Sequence, residues 1–311
     1  MPVETVKSDF ASSDSPGARG SPPGLTLMND AMRVRDALGL SNRDARSEVE
    51  LLLMRALDIT RARLIAHPEL AAQAASDPTY LAYLQRRLAG EPIAYIFGER
   101  EFYGYTFTVS PDVLIPRPET ELLVDLVLDH VDEQMSASVL DLGTGSGAIA
   151  IAIARQRPGV RVVAVDASQT SLGIARINSE RLLKSDRQVC FLKSDWFGQV
   201  AEKYFDVIVS NPPYVATGDR HLDKGDVRFE PSTALVGGDD GLDDLRTIVA
   251  QAPRYLVDGG LLLVEHGYDQ AAACRQLLSQ AGFPEPFSER DLAGHLRVSG
   301  GRWLTGASGT G

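Results

Sequence analysis

From about residue 120 onward, strand-like and helix-like segments alternate along the chain, and no other feature restricts the fold as much. Short apolar, β-branched runs fall at Ser138–Leu142, Val160–Val165, Val189–Leu192, Phe205–Val209 and Leu261–Glu265, and His295–Leu304 reads as one more strand. Helix-like segments lie between most of them, for example Thr170–Leu183 and Leu242–Leu256. Strands separated by helical crossovers pair in parallel, and a parallel sheet needs cover on both faces. The fold class this predicts is α/β, with helices on both sides of a mostly parallel sheet. No internal repeat is visible.

The chain ahead of this region reads differently. Residues 11–24, ASSDSPGARGSPPG, hold almost nothing that could be buried, so residues 1–25 are expected to be a disordered tail. Residues 26–90 read as a small helical domain. One helix near Met28–Leu38 stops at Gly39. Ser41 or Ser47 opens a second carrying Val49, Leu52, Leu53 and Leu57, and Asp77-Pro78 opens a third with Tyr80, Leu81, Leu84 and Leu88 on its stripe. Residues 91–118 form a linker. Within it, residues 101–109, EFYGYTFTV, alternate about Gly104 as a β-hairpin, and Leu114–Pro118 is held extended by its two prolines. The catalytic region then runs over 119–311.

Charge narrows the function classes. The net charge is −11, and residues 91–311 carry 20 basic and 31 acidic side chains. Such a region is poorly suited to gripping nucleic-acid phosphates, so no direct nucleic-acid partner is expected. No apolar run approaches the ~18 residues of a membrane-spanning helix, and the first 25 residues contain no secretory signal. The two cysteines, Cys190 and Cys274, stand in no metal or redox spacing, as in a reduced, cytoplasmic protein. No metal site is expected.

Two motifs carry chemistry. The first strand runs through Asp141 and Leu142 into Gly143-Thr144-Gly145-Ser146-Gly147 and then an apolar helix. Glycines there allow a sharp turn and close approach of a ligand to the main chain. Dinucleotide enzymes use a similar loop, but the spacing here is G-x-G-x-G rather than G-x-G-x-x-G. Asp141 could attract the charged amino-acid part of S-adenosylmethionine, a nucleoside cofactor without phosphates. Asp166 closes the second strand, about 20 residues on, where a ribose-binding carboxylate belongs; its plainer reading is a helix cap. Trp196, after the third strand, could flank an adenine or simply belong to the core.

The second motif is Asn211-Pro212-Pro213-Tyr214, just past the fourth strand. It suits the presentation of a planar NH₂ group to a methyl donor. The Asn211 side-chain oxygen and the Pro212 carbonyl can each accept one N–H, and Tyr214 can stack on the planar group. Catalysis would then come from positioning and preorganised dipoles, with no nucleophilic side chain.

With these residues in place, the chain resembles the peptide chain release factor glutamine methyltransferases. The resemblance spans roughly residues 28–305 and is carried by Gly90-Glu91-Pro92-Ile93-Ala94-Tyr95-Ile96, by Leu114-Ile115-Pro116-Arg117-Pro118-Glu119-Thr120-Glu121, and by the glycine loop. Ser194-Asp195-Trp196-Phe197, the Asn-Pro-Pro-Tyr motif and Arg228-Phe229-Glu230-Pro231 add to it. It implies a seven-stranded Rossmann-like methyltransferase domain behind a helical substrate-recognition domain and a hairpin linker. It also implies that Gly143, Thr144, Gly145, Ser146, Gly147, Asp166, Trp196 and Asn211 touch S-adenosylmethionine, and that Asn211, Pro212, Pro213 and Tyr214 hold a glutamine of a release factor. The chain departs from the family's pattern in its N-terminal tail and in Asn178-Ser179, where Asn-Ala is usual. Similar enzymes methylate a ribosomal-protein glutamine or the N6 of adenine in nucleic acid. The first lacks the Glu119-Thr120-Glu121 continuation, and the second conflicts with the acidic catalytic region.

Overall fold

The structure, a computed structural model, describes residues 23–133, 136–183, 189–201 and 205–305. The expected tail lies outside these up to residue 22. Residues 23–25 instead open the first helix, because Pro23 fits a first helical turn that leaves its missing N–H unneeded. The chain forms two compact units, Met1–Gly90 and Glu91–Gly311.

The first unit contains helices α1 (Pro23–Leu38), α2 (Asn42–Leu57), α3 (Arg61–Ala66), α4 (Leu70–Ala74) and α5 (Pro78–Leu88). Ser41, not Ser47, caps α2 by accepting the Asp44 N–H, and Asp77 caps α5 by accepting the Tyr80 N–H at 2.9 Å. Val34, Val49, Leu52, Leu53, Tyr80 and Leu84 fill the core. Leu81 is exposed rather than part of the α5 stripe, since it sits one position, about 100° of helix rotation, from Tyr80. Two buried polar pairs tie the helices: Arg87 grips Glu48 with two bonds of 2.7 and 2.9 Å, and the Tyr80 hydroxyl donates to Asp30 at 2.8 Å.

The second unit begins with α6 (Ile93–Phe97) and the hairpin β1 (Glu99–Phe102) and β2 (Tyr105–Thr108). Tyr103 and Gly104, with φ of 52° and 75°, form the two-residue turn whose twist matches paired strands. There follow α7 (Glu121–His130), β3 (Ser138–Leu142), α8 (Ala148–Gln156), β4 (Arg161–Asp166), α9 (Gln169–Leu182) and β5 (Val189–Lys193). Then come β6 (Phe205–Ser210), α10 (Asp243–Gln251), β7 (Leu256–Glu265), α11 (Ala271–Gln280), β8 (Phe287–Arg290) and β9 (Leu296–Arg302). The seven strands order as β5-β4-β3-β6-β7-β9-β8. All pair in parallel except β9, which is antiparallel to both neighbours.

Central strands bury both faces, so neighbouring residues serve different cores. Val139, Val207, Val209, Leu261 and Leu263 pack with α7 and α8, whereas Leu140, Ile208, Leu262 and Val264 pack with α10 and α11. The α/β reading agrees with this architecture. Strand β8 has no counterpart among the strands expected from the sequence: its residues are half-buried or exposed, and an edge strand of that kind has little apolar signature.

The topology positions the site. From β3 the chain steps outward to β4 and β5, then returns to lay β6 on the other side of β3. The reversal opens a crevice at the carboxyl ends of β3 and β6, where sheets of this kind bind ligands. Leu142 is paired with Ser210 there, and the Ser210 hydroxyl donates to the Leu142 carbonyl at 2.8 Å. The glycine loop and the Asn-Pro-Pro-Tyr motif therefore leave the sheet side by side.

Candidate active site

A cavity of about 490 Å³ occupies this crevice, within the range typical of small-molecule sites. Gly143, Thr144, Gly145, Ser146, Asp166, Trp196, Asn211 and Pro213 line it. Its charged lining is one arginine, Arg117, against four aspartates, Asp112, Asp166, Asp195 and Asp244. A pyrophosphate would meet mostly like charge there, whereas a ligand carrying positive charge would be favoured.

The loop glycines have different tasks. Gly143, Gly145 and Gly147 have φ of 72°, 56° and 82°, which side chains disfavour. A Cβ on Gly145 would meet nothing within 4 Å, while one on Gly143 would come to 3.4 Å from the Trp196 ring. Gly147 does not line the cavity. A Cβ there would sit 2.9 Å from Ile151 and 3.2 Å from the Ala175 side chain, so this glycine lets α8 and α9 pack closely.

Asp141, which its place in the motif offers to the cofactor, does not line the cavity. Its side chain is fully buried beneath the loop, away from the cavity. Oδ2 accepts the Thr144 hydroxyl at 2.7 Å, and Oδ1 has no partner among the described residues. Burial pushes its carboxyl pKa up to about 7.

Asp166 lies at the end of β4 with both oxygens partly engaged. Oδ2 accepts the Gly145 N–H at 2.9 Å and Oδ1 the Ser168 N–H at 2.8 Å. The cap of α9 is Ser168, not Asp166. A carboxylate offers about four acceptor positions, so capacity remains on the cavity side. Burial raises its pKa, opposed by these two backbone bonds.

Trp196 adopts φ of 44°, uncommon for a bulky residue, in a turn tied by the Ser194 hydroxyl to the Trp196 carbonyl at 2.7 Å. Asp244, at the start of α10, lines the same cavity.

Asn211 stands between two cavities. The second, of about 210 Å³, is lined by Tyr214, Val215, His221, Leu222, Val227 and Leu235, and it shares Leu114, Arg117, Asn211 and Ala234 with the first. The Asn211 Nδ2 donates to the Thr120 hydroxyl at 3.1 Å, which leaves Oδ1 as an available acceptor. Pro213 lines the first cavity and Tyr214 the second, but the Pro212 ring is buried and lines neither. Among the described residues no donor pairs with the Pro212 carbonyl. The Tyr214 hydroxyl is committed to Glu265 at 3.2 Å.

Several residues support the site in ways that no motif in the sequence assigned to them. Glu230 has a fully buried carboxylate that accepts the Ile115 N–H at 3.1 Å and pairs with Arg117, fixing the proline-rich segment against both cavities. Asn178 is fully buried and donates to the Thr108 and Ser146 carbonyls at 3.0 and 2.9 Å, joining the hairpin to the glycine loop. Gly237 and Gly241 back the Pro213 and Tyr214 carbonyls so closely that a Cβ would lie 2.4 and 2.3 Å from them. The one hint of that contact is the glycine-rich spacing of residues 237–241, an ordinary loop signal by itself.

Residues 120–229 match the family described as the methyltransferase small domain, and residues 34–98 match the PrmC N-terminal domain. Over 259 residues the chain is 51% identical to a Burkholderia pseudomallei protein named release factor glutamine methyltransferase, covering 82% of this chain and 91% of that one. A Pseudomonas aeruginosa protein of the same name is 48% identical over 259 residues, covering 83% and 93%. Among solved structures, a methyltransferase from Pyrococcus furiosus covers 71% of this chain and 97% of its own with a TM-score of 0.50 at 20% identity, a likeness of fold. With this degree of identity over most of both chains, the protein is a member of the release factor glutamine methyltransferase family.

Proposed function

We propose that this chain transfers a methyl group from S-adenosylmethionine to the side-chain amide nitrogen of the glutamine in the Gly-Gly-Gln loop of peptide chain release factors. The observation that carries the reading is Asn211, the shared wall of two adjoining cavities, with its oxygen left free to accept. The larger cavity suits the cofactor. Its acidic lining complements a sulfonium and an ammonium group, Asp166 retains acceptor capacity for ribose hydroxyls, and Trp196 offers an aromatic face. The cofactor supplies an electrophilic methyl group.

The chain's own residues do the rest. Asn211 Oδ1 and the Pro212 carbonyl would each accept one N–H of the substrate amide. Held this way, the nitrogen points its remaining lone pair at the methyl. As the N–C bond forms and the S–C bond breaks, the nitrogen becomes positive and both acceptors bind it more strongly, which stabilises the transition state over the ground state. The thioether S-adenosylhomocysteine is the leaving group, the nitrogen gives its surplus proton to water, and the neutral N-methyl amide remains. A glutamate in place of glutamine would set lone pairs against lone pairs and leave buried acceptors unpaired, a mismatch of up to about 10⁴-fold.

Residues 26–90 serve to dock the protein substrate, since a small pocket cannot by itself select one glutamine among many. Met28, Met32, Ile65 and Leu81 are exposed apolar side chains of this unit available for contact. The protein acts in the cytoplasm, where translation occurs; both cysteines are free, and no helix among the described residues is long and apolar enough to cross a membrane.

The test offers labelled S-adenosylmethionine with an intact release factor, the same factor carrying Gln→Glu in its Gly-Gly-Gln loop, and adenine-containing duplex DNA. Mass spectrometry should find label on the first alone. Transfer to DNA, or equal transfer to the glutamate variant, would overturn the assignment.

A further inference from the structure

Arg117 sits between Pro116 and Pro118 in extended backbone, with φ of −100° and ψ of 144°. It lines both cavities, and with Leu114, Asn211 and Ala234 it forms the wall they share. Its Nη2 donates to Oε1 of Glu230, whose side chain is fully buried, and Oε2 of the same carboxylate accepts the Ile115 N–H at 3.1 Å. The Arg117 side chain itself remains 31% exposed. A guanidinium carries several N–H donors in a rigid fork. Among the described residues Glu230 takes one of them, and no other side chain or carbonyl bonds the rest. One donor aimed at Glu230 would satisfy that carboxylate, and a lysine could supply it. A planar fork fixed along one edge and open along another suits a second acceptor.

The smaller cavity shows what that acceptor is. Four of its lining side chains are polar, Arg117, Asn211, Tyr214 and His221, and the rest are apolar. Asn211 gives its Nδ2 to Thr120 and the Tyr214 hydroxyl is held by Glu265. His221 is 86% exposed, with Nδ1 against Asp219. Arg117 is therefore the side-chain donor with capacity left inside the pocket. A Gly-Gly-Gln loop has no side chain beside its glutamine, so main-chain groups are all it offers to be gripped. Only two methylenes separate the glutamine amide from its main chain, which brings the flanking carbonyls close to the wall that holds Asn211. A carbonyl that leaves water there without a donor is costly. We propose that Arg117 is a substrate-binding residue whose guanidinium, anchored on Glu230, donates to a main-chain carbonyl of the substrate beside the reacting glutamine. The inference rests on the function proposed above and names how that substrate is gripped. The rival acceptor is the carboxylate of the cofactor in the larger cavity; that Arg117 also lines the smaller one favours the substrate.

The experiment uses the full chain with intact release factor and labelled S-adenosylmethionine, and compares wild type with Arg117→Lys, Arg117→Met and the Arg117→Met/Glu230→Gln double variant. The kcat, the KM for release factor and calorimetric cofactor affinity are measured for each. Arg117→Met should raise KM by about 10- to 100-fold, the loss expected for one charge-assisted hydrogen bond, with kcat lowered less than about threefold and cofactor affinity changed less than about twofold. Arg117→Lys, which keeps a cation against Glu230 but not the planar fork, should raise KM at least about fivefold. The double variant separates gripping the substrate from supporting the fold. Were Arg117 present only to satisfy Glu230, a neutral glutamine at 230 would restore KM; instead KM should stay within about threefold of that of Arg117→Met. A structure of the enzyme bound to release factor should also place a guanidinium nitrogen about 2.7–3.2 Å from a carbonyl oxygen of the loop. Unchanged KM in Arg117→Met, its recovery in the double variant, or a loss confined to cofactor affinity would each overturn the proposal, the last by assigning the arginine to the cofactor's carboxylate. If wild type labels the release factor and the variants match it, only this inference fails; if wild type leaves it unlabelled, the functional reading fails first.

Discussion

Replacing Gly147 with alanine should destabilise the second unit far more than the same change at Gly145, although both lie in one loop at positive φ. At Gly145 (φ 56°) a Cβ would meet nothing within 4 Å, so only the left-handed backbone is penalised, by about 1–2 kcal/mol. At Gly147 (φ 82°) the same penalty applies and a second is added. The new methyl would lie 2.9 Å from Ile151 Cδ1, 3.2 Å from Ala175 Cβ and 3.4 Å from the Ala175 backbone. Ile151 can swing its terminal methyl aside, but Ala175 has no flexible end, so α9 must shift. Overpacking of this kind adds about 1–3 kcal/mol, for a total of about 2–5 kcal/mol. At roughly 2–4 °C per kcal/mol for a unit of this size, Tm should fall by about 4–20 °C. Differential scanning calorimetry of both variants, with and without S-adenosylmethionine, checks this. Gly145→Ala should show the opposite balance, with mild loss of stability but weakened cofactor binding, because Gly145 lines the cavity and donates to Asp166. Equal melting temperatures for the two variants would refute the packing role assigned to Gly147.

Asp166→Ala should weaken cofactor binding by about 1.5–3 kcal/mol, the usual cost of losing a charged hydrogen-bond acceptor; unchanged affinity by calorimetry would remove Asp166 from the site. Asn211→Ala should leave the fold intact and slow the chemical step about 100-fold or more, and near-normal single-turnover transfer would contradict its role. Stability should fall as pH rises from about 4.5 to 7 on account of Asp141 and Glu265, both raised to about 7 by burial. In that window the unfolded chain has released protons that the folded chain still holds, so folding takes up protons and is disfavoured as they become scarce. The groups facing Glu265 are Thr120, Tyr214 and Arg297, which oppose its shift or bond to it, and Glu119, which adds to it. Urea denaturation should therefore show Glu265→Gln gaining stability relative to wild type as pH rises from about 5 to about 8; a gap that does not change with pH would refute this.

The parts of the site that depend on neighbours in sequence are legible in the amino-acid order itself. A glycine loop between strand and helix, a carboxylate about 20 residues later and an Asn-Pro-Pro-Tyr segment after a buried strand are local patterns, and the alternation of elements is enough to bring their strand ends to one sheet edge. Local pattern does not reveal which member of each motif faces the cavity. Asp141 and Gly147 sit inside the motif yet point into packing, because a tight loop must turn some of its residues inward to hold its shape. Nor does it reveal Thr120 and Glu265. They meet Asn211 and Tyr214 across separations of 91 and 51 residues, Thr120 at the start of α7 where it packs on the sheet and Glu265 through the pairing of β6 with β7. By itself the sequence determined the fold class, the crevice and the chemistry it can present, since these follow from periodicity and residue type. Only the tertiary structure decided which way an amide turns and which carboxylate is desolvated, because hydrogen-bond sense and burial belong to contacts between residues far apart in the chain.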